Sequence, residues 1–257
     1  MNWAKTNDGL EIYYEIEGNG PTIVFQSGYM GIHDIWNHQI KAIKNSYRCI
    51  THDNRGYGLS SKPVDSSFYT TEKNVADLKA VLDAAEVTDS FLLVTHSLGS
   101  AAAIAFADKY PHLVKGIIMM GGPTISGGAI EGESHEEMWA AHQTTPSDAA
   151  NFYKKLGCSE EIALEAGKWQ PTVFKNQTRA ILHYQPDSNA LNLPMPMLVV
   201  HGTHDVVSPK EVVYTIVDTF THARWVELDG LNHFPQIEAP ETINKLVHDF
   251  YTEISDN

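Results

Sequence analysis

The stretch FLLVTHSLGS, Phe91 to Ser100, decides how the rest of the chain is read. Its first five residues form a continuous apolar and β-branched run, the pattern of a short strand buried on both faces. Ser97 follows, with Gly99 two positions on and Thr95 two positions before. A sharp turn from strand into helix at such a serine exposes its hydroxyl and leaves the next residue's N–H free to donate. The motif is short, and on its own it fits a nucleophile and a plain helix start equally well.

Similar runs recur on either side of it. EIYYEI (11–16), TIVFQ (22–26), YRCITHD (47–53), GIIMM (116–120), MLVVHG (197–202) and RWVELD (224–229) are short and strand-like, with helical patterns between them. In TEKNVADLKAVLDAAEV (71–87), Val75, Leu78 and Leu82 recur at helical spacing beside Val81, while Lys73, Asp77 and Lys79 are placed on the opposite, solvent side. Segments 209–220 and 240–251 read the same way, each with a proline near its first turn. Strands alternating with helices predict an α/β fold: a mostly parallel twisted sheet of about eight strands with helices on both faces.

One region breaks the alternation. From about Thr124 to Asn192 no strand-like run occurs, and helix-like pieces are expected around 134–143, 147–156, 159–168 and 172–184. The expected organisation is a core of residues 1–123 and 193–257, with 124–192 as a small helical lid inserted after the sixth strand.

Bulk properties narrow the function. With 257 residues, 42% of them hydrophobic and 19% charged, the chain suits one globular domain with a large core. A formal charge of −14, four arginines and no basic run argue against nucleic acid. Two distant cysteines, Cys49 and Cys158, make neither a disulfide framework nor a CxxC pair, which favours a reducing, cytoplasmic location. The polar start MNWAKTNDG predicts no secretory leader, and the uncharged run 91–107 carries Thr95, His96, Ser97 and Gly99 in its middle, so membrane insertion is not expected.

Two further segments bear on Ser97. VVHGTHDVVSP sets Asp205 just beyond a strand, and LDGLNHFPQIEAPE sets His233 in a loop after another. Ligands gather at such strand ends in open α/β sheets, and serine, acid, histidine is the chain order of a nucleophile triad there. In that reading His233 takes the Ser97 proton, Asp205 fixes the imidazole tautomer, and the N–H groups of Leu98 and Tyr29 receive the oxyanion.

Taken in order, the leading hairpin, SGYMG (27–31), DNRGYGLS (53–60), the elbow, KYPHLVKGII (109–118), GTHDVVSP (202–209) and GLNHFPQIEAPE (230–241) resemble the α/β-hydrolases over nearly the whole chain. Two departures stand out: Ser27 replaces the histidine often found beside the oxyanion loop, and Thr95 replaces the usual elbow glycine. Among such enzymes the compact core and short lid are similar to small carboxylesterases and lactonases, including the 3-oxoadipate enol-lactonase group. The resemblance implies hydrolysis of a small ester or lactone through an acyl-enzyme, with no cofactor and no metal, by a monomer or homodimer. It also leaves open a carbon–carbon bond hydrolase of aromatic degradation and a ligand-sensing receptor that retains the triad. Serine at the elbow excludes the aspartyl chemistry of related dehalogenases and epoxide hydrolases.

Other polar residues have plainer readings. Asp53 and Arg55 suit a salt bridge within a turn, and His96 suits a packed or hydrogen-bonded structural histidine, because neighbours on a strand–helix turn point apart. His201, His204 and Asp205 lack the spacing of a helical zinc pair. Trp139, Phe152, Trp169, Phe174 and Phe234 are the candidates to line the substrate pocket. Arg179 is the sole lid arginine, with Lys154, Lys155, Lys168 and Lys175 as weaker partners for a substrate carboxylate, and the reading commits to a small ester or lactone without committing to an acidic one.

Overall fold

The computed structural model describes residues 1–29, 31–122, 144–168, 171–182 and 184–256. Among the described residues, eight strands form one sheet: β1 (Asn2–Lys5), β2 (Glu11–Glu17), β3 (Thr22–Gln26), β4 (Arg48–His52), β5 (Phe91–His96), β6 (Val114–Met120), β7 (Met197–Gly202) and β8 (Ala223–Leu228). Their order is β1-β2-β4-β3-β5-β6-β7-β8. The leading hairpin pairs antiparallel with itself and with β4, and β4 through β8 run parallel.

Successive side chains on a strand face opposite ways, so each central strand feeds two cores. Ile23, Phe25, Leu92 and Val94 join Trp36 and Phe250 on one side, whereas Val24, Phe91, Leu93 and Met119 join Leu78, Phe106 and Val213 on the other. Both faces are covered, which is why every residue of β5 and β7 is buried. Parallel pairing requires crossovers, and these are the helices: α1 (Asn37–Ile43), α2 (Thr71–Ala84) and α3 (Gly99–Lys109) lie between the first six strands.

Three more helices, α4 (Pro146–Lys155), α5 (Glu160–Ala166) and α6 (Pro171–Leu182), lie between β6 and β7. Thr145 and Ser159 start α4 and α5 by accepting the N–H of Asp148 and Ile162. The helix-like piece at 134–143 lies outside the described residues. The last helices are α7 (Lys210–Thr219), the single turn α8 (Pro235–Glu238) and α9 (Pro240–Asp256), which runs a turn beyond the periodic segment.

Two sequence expectations are corrected here. Asp77, placed on the solvent side of its helix, is buried, and its two oxygens accept from Arg55 Nε and Nη2, each at 2.6 Å. Arg55 is itself fully buried and also reaches Asp8 at 3.0 Å. Asp53 and Arg55 therefore form no turn salt bridge with each other: Asp53 pairs with His33 instead, at 2.7 Å. Both carboxylates are inside because a buried charge is tolerated when a complementary charge and hydrogen bonds meet it.

Candidate active site

The sheet order brings the predicted groups together. β3 and β5 are neighbours, so the loop after β3 that holds Tyr29 lies beside the elbow after β5 that holds Ser97. β7 and β8 are neighbours too, which sets Asp205 beside the His233 loop. All four loops leave the carboxyl ends of parallel strands, where an open α/β sheet forms its crevice.

Ser97 has φ +52, and with Glu86 it is one of two non-glycine residues in the left-handed region among those described. Such a conformation is costly and persists where surrounding contacts enforce it. Here the Ser97 N–H donates to Met120 O at 2.8 Å, and the helix that follows passes very close to β3. A Cβ on Gly99 would stand 2.8 Å from the carbonyl oxygens of both Gln26 and Ser27, so the close approach falls at that position. Thr95 does not crowd the elbow: its hydroxyl bonds Ser100 Oγ at 2.8 Å and donates to Ile118 O at 3.2 Å.

His233 Nδ1 lies 2.9 Å from Asp205 Oδ2, and its Nε2 lies 3.2 Å from Ser97 Oγ. A carboxylate only accepts, so Nδ1 carries the proton and Nε2 is left to accept from the serine hydroxyl. Asp205 Oδ1 accepts from the N–H groups of Val207 (2.9 Å) and Ser208 (3.2 Å). Burial pushes the Asp205 carboxyl up, but the charge and hydrogen bond of His233 and these two N–H groups prevail and hold it below the usual carboxylate range. Gly122 leaves room for this acid, since a Cβ there would meet Ser208 Oγ at 2.2 Å and Asp205 Oδ2 at 3.1 Å.

Side chains outside the predicted triad hold these loops. Asn54 Nδ2 donates to the carbonyls of Ser27 (3.0 Å) and Gly28 (3.2 Å), and its N–H donates to Gly31 O at 2.6 Å. Ser27 Oγ donates to Ile32 O and accepts from Trp36 Nε1, both at 3.0 Å, so a hydroxyl braces the Tyr29 loop. Glu238 brackets the histidine, accepting from Asn232 N at 2.9 Å and Phe234 N at 3.0 Å. Asn54 and Glu238, which the sequence reading passed over, lie within segments already quoted, DNRGYGLS and GLNHFPQIEAPE, but a side chain's choice of a main-chain partner leaves no trace in spacing.

Tyr29, Phe152, Tyr153, Leu156 and Phe234 wall a narrow chamber around Ser97 and His233. Of the pocket candidates, Phe152 and Phe234 are therefore at the site, while Trp139, Trp169 and the side chain of Phe174 lie outside the described residues. His201 is buried away from them, with its ring 5.3 Å from that of Trp225, and among the described residues no three His, Cys, Asp or Glu side chains are grouped to hold a metal. No described helix is long and apolar enough to cross a membrane.

A family model for the alpha/beta hydrolase fold matches residues 21–143. The chain has the alpha/beta hydrolase fold. An esterase from Exiguobacterium antarcticum superposes on it with a TM-score of 0.86 over 97% of this chain and 98% of its own, at 18% identity. The enol-lactonase from Burkholderia xenovorans does so with a TM-score of 0.77, 20% identity and coverage of 98% and 100%. In sequence, the pyrrolizixenacetamide deacetylase of Xenorhabdus hominickii is 27% identical, with 97% of each chain aligned.

Proposed function

We propose that this α/β-hydrolase cleaves a small carboxylic ester or lactone through a covalent acyl-enzyme. The observation that carries the reading is the continuous path from Asp205 Oδ2 through His233 to Ser97 Oγ, with steps of 2.9 and 3.2 Å, at the end of a strained elbow. His233 Nε2 takes the hydroxyl proton as Ser97 Oγ attacks the acyl carbon. Asp205 holds the tautomer and stabilises the imidazolium. The N–H of Leu98, at the start of α3, and that of Tyr29 receive the oxyanion. Collapse of the tetrahedral species expels the alkoxide, which leaves with the proton from His233. Water then attacks the acyl-serine with His233 again as base, and the acid departs.

The chamber supports an uncharged substrate. Among the described residues that wall it, Tyr29, Phe152, Tyr153, Leu156 and Phe234 surround the reacting groups and none is a Lys or Arg. Arg179, the cation most suited to a substrate carboxylate, has an exposed side chain. Residues 124–192 act as the lid in this reading, with 1–123 and 193–257 as the core, because α4 supplies the aromatic wall.

The test is steady-state hydrolysis of p-nitrophenyl esters from acetate to octanoate and of simple lactones, beside Ser97→Ala. Wild type turns over, and the alanine variant loses roughly 10^6-fold in kcat, as removal of one member of such a unit does. Hydrolysis that survives Ser97→Ala refutes the assignment.

A further inference from the structure

His96 is used neither as the nucleophile nor as its base, yet it touches both elements that carry them. It precedes Ser97 on β5, and its ring is buried, stacked on Phe234 (centroids 4.7 Å, 24°) and edge-on to His233 (5.0 Å, 70°). Its Nε2 lies 2.9 Å from the main-chain oxygen of His233. A carbonyl only accepts, so Nε2 carries the proton and donates. Nδ1 is then a bare acceptor, buried and without a hydrogen-bond partner among the described residues.

That arrangement is poor as packing, since a phenyl ring would fill the same space without stranding a nitrogen. The bond to His233 is what a phenyl ring would lose. The fold also keeps space for it: Gly121 has φ +65, and a Cβ there would sit 2.4 Å from His96 Nε2 and 2.5 Å from His233 O. Burial, helped by the neighbouring His233, pushes the His96 imidazole down to about 3, so it stays a neutral donor and does not compete for the serine proton.

The remaining ties of the His233 loop run elsewhere. Its N–H is shared between Asn232 Oδ1 at 2.9 Å and Leu156 O, at the end of α4, at 3.1 Å, and the flanking N–H groups go to Glu238. His96 is the link from the base's own main chain to the strand that presents the nucleophile. We propose that His96 is a positioning residue: its Nε2–H holds the His233 carbonyl and thereby keeps the base in register with Ser97 Oγ. This rests on the hydrolase reading above. Reacting groups tolerate little misplacement, a shift of about 1 Å costing about 100-fold.

His96→Phe keeps an aromatic ring in the stack and removes the donor, whereas His96→Gln places an amide nitrogen near the Nε2 position. The readouts are kcat and KM on p-nitrophenyl acetate, the rate of Ser97 labelling by a fluorophosphonate, and thermal unfolding. His96→Phe lowers kcat and the labelling rate by about 10- to 100-fold. Its KM stays within about twofold, because the lost interaction serves the transition state. Its unfolding temperature does not fall, and His96→Gln recovers most of the rate. Wild-type rates in His96→Phe overturn the proposal, as does a His96→Gln that is as slow as His96→Phe. If His96→Phe does not fold, Gly121→Ala, whose Cβ pushes on the same bond, must show the same split between kcat and KM. A wild type that the fluorophosphonate does not label removes the hydrolase reading and this role together, whereas equal labelling of wild type and His96→Phe removes this role alone.

Discussion

His33→Gln should erase a pH dependence of stability that the native chain carries on the alkaline side. His33 Nδ1 lies 2.7 Å from Asp53 Oδ1 and 3.9 Å from Asp34 Oδ2, and its Nε2 lies 3.6 Å from Glu15 Oε1. Asp53 is fully buried and also accepts from the main-chain N–H groups of His33 (2.8 Å) and Leu59 (2.7 Å), so it joins the loop after β3 to the loop after β4. Burial opposes charge on the imidazole, but the Asp53 hydrogen bond and charge, with Asp34 and Glu15, outweigh it and raise the pKa from 6.5 to about 9. At about 1.4 kcal/mol for each tenfold change in proton affinity, that rise is worth about 3 kcal/mol.

The sign follows from linkage. A folded-state pKa above the unfolded one means the stabilisation is complete below 6.5 and is lost as pH rises through about 9. Urea unfolding of wild type and His33→Gln, measured from about pH 6 to about pH 10, should give a stability difference that shrinks by about 3 kcal/mol across the range. In thermal unfolding the same change amounts to about 6–12 °C for a domain of this size. Parallel stability curves for the two proteins would refute the argument, since no other change distinguishes their titration.

Three more outcomes follow from the buried groups. Asp77→Ala leaves Nε and Nη2 of the fully buried Arg55 without their carboxylate, with Asp8 still paired to Nη1, and should cost up to about 3–5 kcal/mol in denaturant unfolding; a loss below about 1 kcal/mol would show that the fork to Asp77 is not what stabilises this corner. Thr95→Val keeps the shape but leaves Ser100 Oγ and Ile118 O without their hydroxyl partner. It should cost about 1–3 kcal/mol with the elbow intact, so that Ser97 labelling by a fluorophosphonate stays at the wild-type rate. Burial pushes the thiols of Cys49 and Cys158 up to about 12, so neither should react with iodoacetamide at neutral pH until the chain unfolds; fast alkylation of the native protein, read by mass, would contradict that.

The sequence by itself determined the local elements. Run lengths and β-branched content marked the seven longer strands nearly residue for residue; the central β5 and β7 are covered on both faces and so run largely apolar, whereas β2 and the edge strand β8 are only partly buried. Spacing marked α2, α7 and α9, because a helix covered on one face repeats every three or four residues. Ser97, Asp205 and His233 were legible as candidates because each stands just past such a strand, and position along the chain is all that this inference needs.

Tertiary structure decided what those residues meet. Asp77 read as a solvent-facing charge, since a helical pattern records the apolar face and says nothing of an arginine arriving from a distant loop. The pairings of Asp53 with His33 and Arg55 with Asp77 depended on how two loops cross, as did the bracket of Glu238 around His233. His96 is the sharpest case. The sequence makes it a packed or hydrogen-bonded residue, but its partner is a carbonyl from the far end of the chain, brought within 2.9 Å by the order of strands in the sheet. Hydrogen bonds to main-chain atoms are indifferent to the partner's residue type, so only the folded chain records them.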